Sequence, residues 1–229
     1  MQSLKLMKFK DIVWMAVLVF CIAACGGNDY SPKPKAYLRI DMPEHSYWRV
    51  DTLPVADDYV VVLPFTFEAN QETEITLKRP RLVATVTSGG AVRHERLGCD
   101  KFDEVWLDVN YPQWSGVVFL TYKRINDAND LRGQTDTSLR LLEKHYKVAS
   151  GVQERVYEDP LNGVYGTAYH LRGNKVASTY QFWATDSSKH FLRGALMLDR
   201  SPNNDSLAPV LDYIQADIDH LMETLRWRN

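Results

Sequence analysis

The sequence predicts an α+β fold, an antiparallel sheet with helices packed on its faces, for most of its 229 residues. Three observations predict it. β-Branched and aromatic stretches alternate with turn residues through the middle of the chain, an apolar stripe at three- and four-residue spacing surrounds Leu142, and a longer stripe of that kind closes the chain. Composition agrees, because 45% hydrophobic and 11% aromatic content supplies an ordinary folded core and argues against a disordered chain.

The elements follow in order. Lys5, Lys8 and Lys10 precede an apolar run over 12–24. That run is shorter than the roughly twenty residues a bilayer span needs, so residues 1–24 read as a secretory signal peptide. It ends Ile22-Ala23-Ala24-Cys25-Gly26, and small residues before a cysteine fit the narrow subsites of a lipoprotein signal peptidase. This resembles the bacterial lipobox, which makes Cys25 the lipidated mature N-terminus; an ordinary cleaved signal or an uncleaved N-terminal helix is the alternative. Several acyl chains anchor stably, since each buried CH₂ contributes about 0.8 kcal/mol and one chain alone is marginal. Gly26, in place of the aspartate that retains enteric lipoproteins in the inner membrane, points by analogy to the outer membrane; Gly26 leaves the face open, and the expected placement is toward the periplasm. Cys99 is then the one free thiol of the mature chain and is expected to be buried.

Residues 25–35, with two prolines and no apolar periodicity, are expected to form a membrane tether, and 36–229 a single α+β domain. Alternation around Tyr37, Arg39 and Asp41 predicts a first strand whose edge could accept a partner strand. A strand follows over 59–67, where Pro64 implies an edge position, a bulge or a boundary. Another is expected over 81–87, and a hairpin over 105–111 and 117–123 around the turn residues 112–116. Leu139, Leu142, Tyr146 and Ala149 make one face of a helix over 136–153, with Lys144 and Lys147 exposed. Strands over 164–171, 176–185 and 190–198 form a meander. Leu211, Ile214, Ile218, Leu221 and Leu225 then mark a helix over 207–227, with Asp205 or Ser206 as N-cap and Pro209 near its first turn. This element order resembles the Mog1/PsbP-like α-β-α sandwich.

Charge and motifs exclude several function classes. Twenty-seven Lys+Arg against 29 Asp+Glu, with no basic half, leave nucleic acid without an electrostatic footprint. No GxGxxG or GxxxxGK[ST] supports a nucleotide, and the histidines at 45, 94, 145, 170, 190 and 220 show no metal-ligand spacing, so no cofactor or metal is expected. His145 and His190 are a pair that folding could bring together. The densest polar segment is 185–194. Asp186, Ser187 and His190 admit a hydrolase reading, yet triads assemble from distant parts of a fold, and Asp and Ser at a tight turn commonly bond local backbone. Phe182 faces opposite to Gln181 and Trp183, which predicts a weakly covered ring on that strand. Tyr111, Trp183, Thr185, Asp186, Ser187, Lys189, His190 and Arg193 are therefore the candidate partner-binding residues.

Further stretches carry a family resemblance. Pro32-Lys33-Pro34-Lys35-Ala36-Tyr37 with Arg39-Ile40-Asp41 and Pro43, Leu63-Pro64-Phe65 with Phe67, and Tyr111-Pro112 resemble the GldD family of gliding-motility lipoproteins of Bacteroidota. So do Ala177-Ser178 with Gln181-Phe182, Thr185-Asp186-Ser187, the run from His190 through Arg193 to Leu196, and Pro202-Asn203 with Asp205-Ser206-Leu207-Ala208-Pro209. The resemblance implies a lipid-anchored envelope protein needed for gliding and associated with type IX secretion, and it brings no catalytic residues. Two functions stand at this point. One is a non-enzymatic assembly or accessory lipoprotein that contacts envelope motility or secretion proteins. The other is a cell-wall hydrolase or glycan-binding lipoprotein using Asp186, Ser187 and His190.

Overall fold

The computed structural model describes residues 41–56, 59–82, 95–97, 102–199 and 203–228. Cys25, Cys99, the tether and most of the expected first strand lie outside the described residues. Residues 41–46 are not strand; the first described strand is β1 (Tyr47–Ala56), antiparallel to β2 (Tyr59–Asn70). Pro64 sits in a bulge, the second of its three alternatives. Val50 pairs with Phe67 and Thr52 with Val62, so Leu63, Pro64, Phe65 and Thr66 oppose Asp51 alone. The backbone freed there is used by the chain's own end: β11 (Arg226–Trp227) pairs with Thr66 and Phe65, and the Arg228 N–H donates to the Pro64 carbonyl at 2.9 Å. β4 (Glu95–Leu97) adds a short parallel pairing to the start of β2.

A larger sheet carries the rest. It contains β3 (Glu74–Leu82), β5 (Phe102–Tyr111), β6 (Gly116–Arg124), β7 (Gly151–Asp159), β8 (Val164–Arg172), β9 (Tyr180–Thr185) and β10 (His190–Leu198). Their order is β3-β5-β6-β10-β9-β8-β7, each neighbour antiparallel. The expected β5–β6 hairpin closes through a 3₁₀ turn at Pro112–Trp114 with Ser115 left-handed, and the expected meander is β8-β9-β10. β9 begins at Tyr180 rather than at 176, because 173–179 turns the chain. β7 corrects the sequence expectation, since its residues fall partly at the end of the expected helix. Gln153, Glu154, Arg155 and Glu158 leave neither of its faces continuously apolar, and pairing along the whole of β8 makes it a strand.

The first helix, α1 (Ala128–Tyr146), starts and ends earlier than the expected 136–153. Asp127 sets its start by accepting the N–H groups of Asn129 and Asp130 at 2.8 and 2.9 Å. Leu142 is buried as expected, whereas Tyr146 is 41% exposed. The second helix, α2 (Asn204–Thr224), is not capped by Asp205 or Ser206. The turn before β9 does that work: the Asn204 N–H donates to the Asn174 carbonyl, the Asp205 N–H to Asn174 Oδ1, and the Asn204 amide to the carbonyls of Gly173 and Val176. Pro209 lies inside the helix. At Leu225 the backbone leaves the helix, so Trp227 belongs to β11 and not to α2.

Strand alternation sorts the core into two sides. Phe182, Ala184, Leu192 and Leu196 join Phe65 and Phe67 of β2 and Ile214 and Ile218 of α2 in the main cluster. On the opposite face Leu142 of α1 packs on Tyr169, Leu171 and Trp183. The helices thus lie on opposite faces of the large sheet, with the small sheet beside α2. Gly194 is required by this packing: a Cβ there would stand 2.0 Å from the Phe182 ring. α2 runs along the side of β2 away from β1. Asn70 meets Asp217, the Glu68 N–H donates to Thr224 Oγ1 at 3.0 Å, and the chain then pairs as β11.

Candidate functional site

The β9–β10 tip, where the sequence concentrates its polar residues, is organised by one carboxylate. Asp186 Oδ1 accepts the backbone N–H groups of Ser188, Lys189 and His190 at 2.9, 2.8 and 2.8 Å, and Oδ2 accepts the Ser188 hydroxyl at 2.7 Å. Partial burial pushes the Asp186 carboxyl up, but these donors outweigh it and hold the group below the usual carboxylate range. Ser187 adopts the left-handed region at φ 66°, and its N–H donates to Thr185 Oγ1 at 2.9 Å. The Thr185 hydroxyl in turn donates to the His190 carbonyl at 2.6 Å. The His190 ring points into the core instead, with Nδ1 2.9 Å from the Tyr122 hydroxyl and its plane stacked on Trp227 at 5.2 Å. Asp186 therefore meets His190 through its backbone, and Ser187 lies on the solvent side. The three residues form no Ser–His–Asp relay.

The candidate partner-binding residues separate by burial. Tyr111, Thr185 and His190 are buried, Trp183, Asp186 and Arg193 are half-buried, and Ser187 and Lys189 are exposed. Trp183 stacks on Phe191 at 6.1 Å within the layer that α1 covers, which is why its ring is not open. Arg193 donates to Gln181 Oε1 at 2.9 Å, and burial pushes its pKa down. His145 and His190 do not meet. His145 belongs to α1 on one face of the sheet, where burial and then the Arg193 charge push it down, and His190 faces the main core.

Sequence reasoning missed two acidic centres on α2. Asp217 is 4% exposed, between Ile214 and Ile218. Its Oδ1 lies 2.7 Å from His45 Nδ1 and accepts the Tyr47 hydroxyl at 3.1 Å; Oδ2 accepts the Tyr111 hydroxyl at 3.0 Å. The Asn70 amide spans both oxygens at 3.1 and 3.0 Å and also donates to the Tyr213 hydroxyl at 2.8 Å. Around this group His45 stacks on Tyr213 at 4.1 Å and Tyr47 on His220 at 3.7 Å, while His220 Nε2 lies 2.7 Å from Glu68 Oε2. Burial, then the Asp217 charge, pushes the Tyr111 and Tyr47 hydroxyls far up. A buried carboxylate this densely supplied with donors is a structural pin, fastening the segment at His45, β2 and β5 to one helix.

Two residues on, Asp219 repeats the device toward the meander. It accepts the Tyr157 hydroxyl at 2.6 Å and a short bond from Tyr180, and pairs with Arg155 at 3.0 Å. Burial, followed by the bond to Asp219, pushes both tyrosines up. Carboxylates inside the apolar stripe of α2 were the available sequence signal. No cluster of three or more His, Cys, Asp or Glu that could hold a metal occurs among the described residues.

The open features are surfaces rather than catalytic clusters. On the α1 side, next to the β5–β6 hairpin, a trough of about 620 Å³ is lined by Phe119, Val117 and Met197, with Asp108, Glu74 and Asp199 supplying carboxylates. Farther along that face Val152 and Val156 of β7 are exposed.

No helix among the described residues is long and apolar enough to cross a membrane. No curated protein matches the chain. No solved structure matches it either, so the Mog1/PsbP comparison rests on element order alone. A family described as "Gliding motility lipoprotein GldD" matches residues 27–227, across both sheets and both helices. The chain belongs to this gliding motility lipoprotein GldD family, and with it to the membrane-anchored envelope lipoproteins that have a role in gliding motility.

Proposed function

We propose that the protein is a non-enzymatic accessory or assembly component of the envelope machinery for gliding motility and type IX secretion. It is held through acyl chains at Cys25 at the periplasmic face of the outer membrane, and acts through protein contacts made by the domain that follows the 25–35 tether. The single observation that carries this reading beyond the family is the use made of Asp186. Its carboxylate is engaged by four local donors that build a turn, leaving Ser187 and Lys189 as exposed side chains on a rigid tip. A rigid polar tip at one end of β10 and an apolar trough edged with carboxylates at its other end suit recognition of another protein.

The test is genetic and has three arms. Deletion of the gene should abolish colony spreading and reduce secretion of type IX cargo, and the wild-type gene should restore both. Cys25→Ala should remove acyl labelling and fail to restore spreading. Ser187→Ala should restore spreading fully. Normal spreading and secretion after deletion would refute the reading, and activity of the purified protein on peptidoglycan lost in Ser187→Ala would replace it with the hydrolase.

A further inference from the structure

The large sheet ends at β3 on one side and at β7 on the other. An edge strand turns alternate N–H and C=O groups outward, and folded proteins blunt such edges with proline, bulges or charge. β3 is blunted twice over: Pro80 lies within it, and its register with β5 shifts between Leu77 and Arg79 and again between Arg81 and Leu82. β7 has neither proline nor a bulge; its charged residues are Glu154, Arg155, Glu158 and Asp159, with no Lys among them. It runs nine residues without proline, in unbroken register from Gly151↔Arg172 to Asp159↔Val164, and pairs only with β8 among the described residues. On the α1 side it presents Val152, Glu154, Val156 and Glu158, all exposed, with Val156 at 65%. Tyr165 of β8, opposite Glu158, extends the apolar strip inward.

We infer that the free edge of β7 accepts an extended segment of a partner protein as an added strand, and that on the α1 side this segment carries apolar residues and Lys or Arg in turn at every second position, as apolar-x-Lys/Arg-x-apolar. The inference rests on the protein-contact reading above and supplies its surface and the chemistry of its partner. Main-chain bonds along the edge provide affinity, and alternate side chains provide specificity. Val152 and Val156 favour apolar neighbours, and Glu154 and Glu158 favour cationic ones, since opposite charges directly across a strand pair stabilise it and like charges oppose it. That rule disfavours the longest overlaps with a second copy of this chain. In a twofold antiparallel pairing, centring on Glu154 sets it against its own copy, centring on Arg155 does the same for Arg155, and centring on Val156 sets Glu154 against Glu158; the shorter overlaps centred on Gln153 or Tyr157 escape a like-charge pair.

Photo-cross-linking in native envelopes tests this on the full lipoprotein. Benzoylphenylalanine is placed singly at Val156, at Phe119 and at Ser187, and adducts are sequenced by mass spectrometry. The expected result is an adduct at Val156 whose captured peptide carries apolar and Lys or Arg residues in turn at every second position, and whose yield falls about tenfold in Glu154→Lys/Glu158→Lys. Adducts at Ser187 or Phe119 with none at Val156 overturn the edge inference and leave the protein-contact reading standing. A Val156 adduct unchanged by charge reversal, or formed with a second copy, also overturns it. Absence of adducts at all three positions overturns both readings.

Discussion

Removing the Asp217 carboxylate is the sharpest perturbation of this fold. In Asp217→Ala the buried Tyr111 hydroxyl loses the acceptor it bonds at 3.0 Å, and the Asn70 amide keeps only its bond to Tyr213. Hydrogen bonds to a charged group contribute about 1.5–3 kcal/mol each, so these two sum to roughly 3–6 kcal/mol. His45 and Tyr47 are only partly buried and regain water, which adds little. A loss of about 4 kcal/mol is expected, a large part of the roughly 5–15 kcal/mol that holds a domain folded. Urea unfolding of the soluble chain from residue 36, followed by tryptophan fluorescence, measures it. Asp217→Asn should cost about half as much, because one oxygen still accepts. A double-mutant cycle with Tyr111→Phe should return a coupling of about 1.5 kcal/mol or more. A cost below about 1 kcal/mol for Asp217→Ala, with no coupling to Tyr111, would refute the assignment of Asp217 as the pin of the core.

Tyr47, Tyr111, Tyr157 and Tyr180 are held above the ordinary tyrosine range, whereas the unfolded chain releases these protons near pH ~10. The folded state therefore loses stability as pH rises past that value, and part of the 295 nm tyrosinate signal should appear in one step with alkaline unfolding; smooth ionisation of all twelve tyrosines would contradict this. Asp186 works in the opposite sense. Its folded value is depressed, so its contribution is present above pH ~4 and lost as pH falls through the folded value, and Asp186→Asn should flatten the acid limb of stability measured by urea midpoint. Gly194→Ala should destabilise by about 1–3 kcal/mol through the Phe182 ring, while Gly133→Ala, exposed on α1 with nothing within 4 Å, should stabilise by about 0.5–1 kcal/mol; thermal melts that rank the two the other way would refute the packing.

The hairpin, the meander and the C-terminal helix were legible because turn chemistry and apolar period agree along them. β1 was not, since the bulge after Val50 puts its buried residues at Val50 and Leu53, out of step with a period of two. The first half of α1 was hidden because residues 128–134 offer Leu131 as their only large apolar side chain, and the Asp127 cap carries the start instead. The tip was legible in part. Asp, Ser and Thr gather there because a tight turn needs local acceptors and donors, so much of their density marks backbone geometry, and Ser187 and Lys189 are left exposed. Asp217 needed the opposite inference: an acid inside an apolar stripe requires buried donors, and those come from Asn70 and Tyr111, far away in sequence.

The bonds from His45 and Tyr47 to Asp217 also decide how a force applied at Asp41 would enter the domain. A pull applied at Asp41 reaches His45, and then Tyr47 at the first rung of β1, before it reaches the rest of the β1–β2 ladder. From there tension passes into the middle of α2, whose far end is stitched to β2 through Thr224 and β11. Both ends of the described chain thus bear on the same helix and the same strand. Traction at Asp41 would be shared by the central packing of the domain rather than spent peeling a strand from its margin.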